Sequence, residues 1–574
     1  HNNPTAVSEI KKGNTLASPL HLDGESLKRF DFVVANPPFS LKSWTNGFDP
    51  DNDPFGRFYG YGIPPAKNGD YAFLLHIIRS LKSTGKAAVI LPHGVLFRGN
   101  AEAAIRTNLL QRGLIKGIIG LPANLFYGTG IPACIIVIDK EGAENRDSLF
   151  MIDASKGFIK DGNKNRLRAQ DIHKMVDVFN KRQKIARYAR MVPIQEIIDN
   201  EYNLNIPRYI DTQEEEDIQD LEAHLRGGIP KRDVEALNAY WEVYPSLKDE
   251  LFAETDRPHY LQLAIDKAEI KNCIFEHPEF VSFQERLASV FAAWQDTNLP
   301  HLLGIHAKTH PGNLIHLISE DLLARYSNIA LIDKYDVYQH LLDYWEQTMK
   351  DDIYILLEDG WKAELTQVKD KKGKPKKGEF ECELIPEQYI IMRYFAEEQS
   401  DIQLVEQRLE SHTQELSEIV EEYAGEEGLL VDALTDTGKL TKASVSKRQK
   451  EIKKDPDAKE EQQLLTRCLD LFAKESHAKK QLKEANLRLK DQVLHQYEHL
   501  NEDEVKSLVV EDKWLSSIQE SISLEIDGIS QRLGQRIKEL ADRYEAPLPQ
   551  IEAEVQAWSQ KVALHLQKMG LSWG

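Results

Sequence analysis

The residues best suited to chemistry begin at Asn36, in the run Asn36-Pro37-Pro38-Phe39. The Asn36 side-chain oxygen and the Pro37 backbone oxygen are two acceptors able to hold both hydrogens of one exocyclic amine. In adenine the N6 lone pair is delocalised into the ring, which makes the amine a poor nucleophile. Two acceptors favour a pyramidal nitrogen and release that lone pair for attack. Asn36 and Pro37 each precede a proline, which confines both to extended backbone angles. The prolines also remove two N–H donors and much of the loop's freedom. Phe39 offers a face for an unstacked base, a contact of about 1–3 kcal/mol. No strongly basic side chain is required, because the amine can lose its proton after the transfer. A stiff turn leaving a sheet is the competing reading. The chemistry requires an accessible Asn36 and open space beside Phe39.

Other clusters are weaker. Lys156, Lys160, Lys164, Arg166 and Arg168 crowd one stretch and are candidates for holding phosphates, against the alternative of solvated loop charges. Lys371, Lys372, Lys374, Lys376 and Lys377 read as a solvated hairpin tip in acidic surroundings. His301, His306, His310 and His316 lack zinc-site spacing apart from the His306/His310 pair, and Pro311 and Gly312 break the segment, so no metal is expected. Asp49, Asp51 and Asp53 open like a calcium loop, but Pro54 stands where glycine is needed and Gly60 where the bidentate acid belongs.

Placing Asn36 needs a sheet. Asp31 to Ala35 reads as a buried strand ending at the loop, where open α/β sheets keep their ligands. Asp70 can cap a helix through Leu81 that Gly85 stops, Ala87 to Leu91 is the next strand, and Asn100 to Gln111 a second helix. Ile115 to Ile119 follows as a strand. This alternation implies a mostly parallel sheet covered by helices. Ala133 to Ile138 and Leu149 to Ile152 are joined too briefly for a helix and predict an antiparallel edge hairpin. From about residue 211 the period is helical, with a β-hairpin expected from Ile353–Val368 and Phe380–Ile385. The stripe Trp514, Ile518, Ile522, Ile526, Ile529, Leu533, Ile537, Leu540 and Tyr544 suits an amphipathic helix packed in its own chain. Segment 424–462 reads as a connection rich in Gly, Asp, Glu and Lys.

The 574 residues suffice for two to four domains, and the net charge of −20 hides an asymmetry. Residues 1–210 hold 28 Lys and Arg against 20 Asp and Glu; the remainder holds 44 against 72. The first part can attract phosphates, while the second is repelled from them and better suited to protein contacts or to solubility alone. Four scattered cysteines exclude a disulfide framework and fit a reducing cytoplasm, and no apolar run of 18 residues spans a membrane.

Phe30 to Ser40, Asn68-Gly69-Asp70-Tyr71-Ala72-Phe73-Leu74-Leu75-His76, Ala88 to Gly99 and Gly120 to Ile138 together resemble the modification (M) subunits of type I restriction-modification systems, which are DNA adenine-N6 methyltransferases. The match runs over about residues 8–210. It implies a partial Rossmann-like class I methyltransferase domain followed by a mostly α-helical C-terminal region. It also implies S-adenosylmethionine as methyl donor, and Asn36, Pro37, Pro38 and Phe39 as the catalytic tetrapeptide acting on a base rotated out of the duplex. The implied partners are DNA, a specificity subunit, a restriction subunit and a second M subunit. Asn14, in Gly13-Asn14-Thr15-Leu16, takes the place of the family's cofactor-contacting Gly-Asp and departs from it. The family's glycine-rich cofactor loop lies well upstream of the catalytic loop, yet only 35 residues precede Asn36. None of Gly60-Tyr61-Gly62, Gly128-Thr129-Gly130 or Gly227-Gly228 opens a helix after a strand. The chain therefore reads as N-terminally truncated and is expected to bind cofactor weakly or not at all by itself. The domains expected are a methyltransferase core (1–155), a basic extension (156–210), a helical domain (211–350), a hairpin insertion (351–388) and a helical bundle for subunit contacts (389–574). Two other functions compete: a non-catalytic helical scaffold with a relict methyltransferase domain, and an N-methyltransferase of RNA adenine or protein glutamine.

Overall fold

The computed structural model describes residues 9–212, 218–369, 373–425, 428–455 and 458–570. Lys371 and Lys372 of the expected lysine tip lie outside them, as does the Lys377 side chain.

The first body is a six-stranded sheet. Its strands in chain order are β1 (Phe30–Ala35), β2 (Leu81–Pro92), β3 (Ile115–Gly120), β4 (Ala133–Asp139), β5 (Ser148–Asp153) and β8 (Ala189–Pro193), with a small hairpin of β6 (Ile159–Asp161) and β7 (Lys164–Arg166) outside it. The spatial order is β8-β5-β3-β4-β2-β1. The pairs β1–β2 and β3–β5 are parallel, so four of six strands share a direction, as the α/β reading expects. The antiparallel element is not an edge hairpin of β4 and β5. β4 inserts between β2 and β3, antiparallel to both, and β5 lies beyond β3. The short link after β4 does reverse the chain, but it carries β5 across β3. The edge beyond β5 is closed by β8, again antiparallel.

Helices α1 (Asp70–Arg79) and α2 (Asn100–Gln111) cover one face, packing Tyr71, Leu74, Leu75, Ile105 and Leu109 on Val89, Leu91, Ile118 and Ile136. Helix α3 (Ala169–Lys181) covers the β3–β5 half of the other face through Met175 and Val178. Residues 156–210 are thus part of the sheet domain and not an extension of it. The expected buried strand at Asn36 is an edge strand. Val33 and Ala35 pack inward, but Phe32 is 76% and Val34 83% exposed. Gly85 does not end a helix. It sits within β2 at an irregular step of the β1 pairing, where a Cβ would stand 3.0 Å from the Phe30 carbonyl oxygen.

One apolar core joins residues from all three expected helical and hairpin segments: Trp294, Trp345, Leu384, Tyr497 and the whole stripe from Trp514 to Tyr544 are buried in it. The boundaries at 350 and 388 therefore divide nothing that packs separately. Ile353 is helical, in Lys350–Asp359, with Leu356 one turn on and both buried; the hairpin is only Thr366–Lys369 with Pro375–Glu381. Segment 424–462 is no mere connection either. Its helix Lys442–Glu451 inserts Val445 into a satellite core with Ile419, Leu465 and Cys468.

The two bodies meet through polar groups. Helix α4 (Lys334–Tyr344) faces α3. Gln170 donates to Asp336 at 2.6 Å, Lys174 pairs with Asp333 at 2.7 Å, and the Tyr335 hydroxyl donates to Asp177 at 2.7 Å. Burial pushes the Asp177 carboxyl up, but the hydrogen bonds from Lys181, Tyr335 and Lys334 outweigh it and bring its pKa to about 2.

Inside the helical core, buried Lys513 donates to Asp352 at 2.8 Å and to the Leu384 carbonyl at 2.7 Å, and Trp514 donates to the other Asp352 oxygen at 2.8 Å. Removing one charge strands the other away from water. Lys513→Met is expected to cost about 3–5 kcal/mol in urea unfolding. Lys513→Met with Asp352→Leu should cost less than the single change.

The sheet domain carries an acid-sensitive histidine. Arg57 and Asp53 form a buried ion pair at 2.8 Å, which accounts for one acid of the Asp49/Asp51/Asp53 series, and Arg57 lies 3.3 Å from His76 Nδ1. Burial and then the Arg57 charge lower the His76 pKa from 6.5 to about 4. Between those values the unfolded chain takes up a proton that the native chain refuses, so stability falls as pH drops from 6.5 to 4. The loss amounts to about 3 kcal/mol at most. Thermal unfolding across pH 7 to 4 should show it, and His76→Gln should flatten that part of the profile.

Candidate active site

Asn36 leaves the C-terminal end of β1 on the side of the sheet where β2 and β3 also end. It is exposed, as is Pro38, while Pro37 and Phe39 are half-buried. The accessibility that the chemistry requires is present. Phe39 meets Phe126 edge to face, with ring centroids 5.4 Å apart. Phe126 belongs to the β3–β4 loop and lines an apolar cleft of about 410 Å³ with Ile90, Leu125, Ile135 and Leu167. Sequence reading missed Phe126, although it lies within the stretch Gly120 to Ile138 that carries the resemblance.

Asp70 does more than begin α1. Its carboxylate is buried and accepts from the Ser40 backbone N–H at 2.7 Å and from Arg98 Nη1 at 2.8 Å. Arg98 also reaches Ser40 Oγ at 3.5 Å and Glu102 at 3.4 Å, and Asn68 donates to Glu102 at 3.1 Å. Burial opposes the Arg98 charge, yet its bonds to Asp70 and Glu102 hold its pKa above the usual value. Burial pushes the Glu102 carboxyl up against the pull of Arg98.

The five basic candidates do not form one cationic face. Lys164 donates to the carbonyls of Phe126 at 2.7 Å and Thr129 at 3.0 Å, and its neighbour Asn165 donates to Ala123 at 2.8 Å. The β6–β7 hairpin is thereby stapled to the loop that carries Phe126. Lys156 donates to the Thr212 carbonyl at 2.5 Å, Arg166 pairs with Asp161 at 3.2 Å, and Arg168 is forked onto Asp171 at 2.9 Å. Lys160 stands exposed. Asn14 spends its side-chain oxygen on its own turn, accepting from Leu16 and Ala17 N–H. No group of His, Cys, Asp and Glu fit for a metal occurs among the described residues.

Residues 1–218 match the N-6 DNA Methylase family. The chain is 33% identical over 193 residues to the type I restriction enzyme MpnII methylase subunit of Mycoplasma pneumoniae, covering 33% of this chain and 35% of that one. It is 32% identical over 240 residues to the MjaVII methylase subunit of Methanocaldococcus jannaschii, covering 40% and 41%. The type I restriction-modification system methyltransferase subunit of Streptococcus thermophilus, of known structure, is 40% identical over 35% of this chain and 41% of its own, with a TM-score of 0.32. The chain thus spans about two-fifths of the length of these relatives. The family implies S-adenosylmethionine as methyl donor. Of the residues expected to contact that group, Asn14 has its side-chain oxygen committed to its own turn.

If Lys164 braces the aromatic loop, Lys164→Ala should quicken amide exchange in residues 121–132.

Proposed function

We propose that this chain is the modification subunit of a type I restriction-modification system, methylating N6 of adenine in DNA, and that Asn36, Pro37, Pro38 and Phe39 hold the acceptor base. The observation carrying this reading is an accessible Asn36 at the C-terminal end of a sheet strand, next to a pair of half-buried aromatic rings. S-adenosylmethionine supplies the electrophilic methyl when bound. The chain's own residues act on the acceptor. Asn36 Oδ1 and the Pro37 carbonyl accept hydrogen bonds from the two amine N–H groups, Phe39 supports the base, and the proton leaves the nitrogen to solvent once the methyl is in place. A base reaches such a site only after leaving the duplex.

The partners in this reading are DNA, a specificity subunit, a restriction subunit and a second modification subunit, with the complex working in the cytoplasm. No helix among the described residues is long and apolar enough to cross a membrane. Of the basic residues, Lys160 is the best placed to meet phosphate, since it is exposed while the others are engaged by local carbonyls and carboxylates. The relict-scaffold reading is not favoured, because the catalytic tetrapeptide is intact and open.

The test is transfer of labelled methyl to unmodified DNA by the full chain assembled with its specificity subunit. Asn36→Ala should lower kcat by about 10²–10³-fold with DNA affinity little changed. Label entering RNA or protein glutamine in preference to DNA would reassign the acceptor.

A further inference from the structure

Two prolines deprive the Asn36–Phe39 loop of amides with which to tie itself down. The first residue beyond it, Ser40, lies in the left-handed region at φ 49°, a conformation that non-glycine residues hold only where surroundings impose it. What imposes it is visible. The Ser40 N–H points onto buried Asp70, whose second oxygen is taken by Arg98, and Arg98 leans on both Ser40 Oγ and Glu102. Resting on the reading of Asn36–Phe39 as the acceptor loop, we propose that Asp70 and Arg98 are positioning residues that clamp this loop in its amine-gripping shape.

The chemistry of the clamp is specific. A buried carboxylate is costly unless its lone pairs are met. One Asp70 oxygen is therefore met by the Ser40 amide and the other by the guanidinium. Arg98 comes from the segment following β2, and Asp70 from the first turn of α1. The clamp thus ties three separate pieces of chain at the strand ends. Glu102, from the first turn of α2, steadies Arg98, and Asn68 steadies Glu102. Neither Asp70 nor Arg98 is placed against the base. Their effect is on where the two acceptor oxygens sit, and transfer depends steeply on such placement.

Arg98→Ala, Arg98→Lys and Arg98→Gln are compared with wild type in the full chain for amide exchange, and in the complex with the specificity subunit for methyl transfer. For Arg98→Ala, exchange at Ser40 should quicken about tenfold, and kcat should fall roughly 10- to 100-fold with KM for DNA within about twofold. Arg98→Lys should recover part of both, which a general loss of stability would not. Arg98→Gln, which keeps a donor and more of the packing, stands in if the alanine variant fails to fold. Unchanged Ser40 exchange overturns the clamp whatever the activity. A rise in KM equal to the loss of kcat/KM overturns the positioning role. If exchange quickens while the wild-type complex transfers no methyl to DNA, it is the acceptor reading that falls, and the clamp's role in transfer with it.

Discussion

A carboxylate shut away from water must find donors, and Asp70 finds them in the segments that follow two paired strands, β1 and β2. The Ser40 amide and the Arg98 guanidinium are drawn to it because leaving either oxygen unmet would cost far more than the hydrogen bonds return in water. That one requirement fixes where β1 hands over to the loop, where the segment after β2 turns, and how the first turn of α1 faces both. The shape of the site follows from this local electrostatic demand acting on strand ends that the β1–β2 pairing sets side by side.

The aromatic side is held by a different device. Phe126 sits on a loop with little regular structure, and a lysine bonded to two carbonyls anchors it to the small β6–β7 hairpin. A cation read in sequence as a phosphate ligand is here a brace. Arg168 and Arg166 likewise serve local carboxylates. The basic excess of the first 210 residues is therefore only partly available to a polyanion, whereas the acidic excess of the helical body lies largely on its surface.

Much of this was legible in the residues. The limits of α2 at Asn100 and Gln111, the strand before Asn36 and the buried stripe from Trp514 to Tyr544 follow from spacing, because a repeating apolar face leaves a direct mark on sequence. Neighbour relations leave no such mark. Phe32 and Val34 read as buried since the strand is apolar on both faces, yet one face is open. The position of β4 inside the sheet depends on which strands pair, and the link to β5 reveals only a reversal. Ile353 and Leu356 form too short an apolar run for strand and helix to be told apart by period. For the site, Asp70 carries the chemistry of a helix start and gives no hint of the distant amide it serves.

Helix α3 has work on two sides. Met175 and Val178 seat it on the sheet, and Ile172 and Val176 border the cleft beside Phe126. Gln170, Lys174 and Asp177 bind it to α4 of the acidic body. A helix is stiff, so it transmits a tilt from one side to the other. A partner that leaned on the helical body would thereby shift a wall of the cleft without touching the sheet domain, and the ionic character of that seam makes the lever one that dissolved salt can loosen.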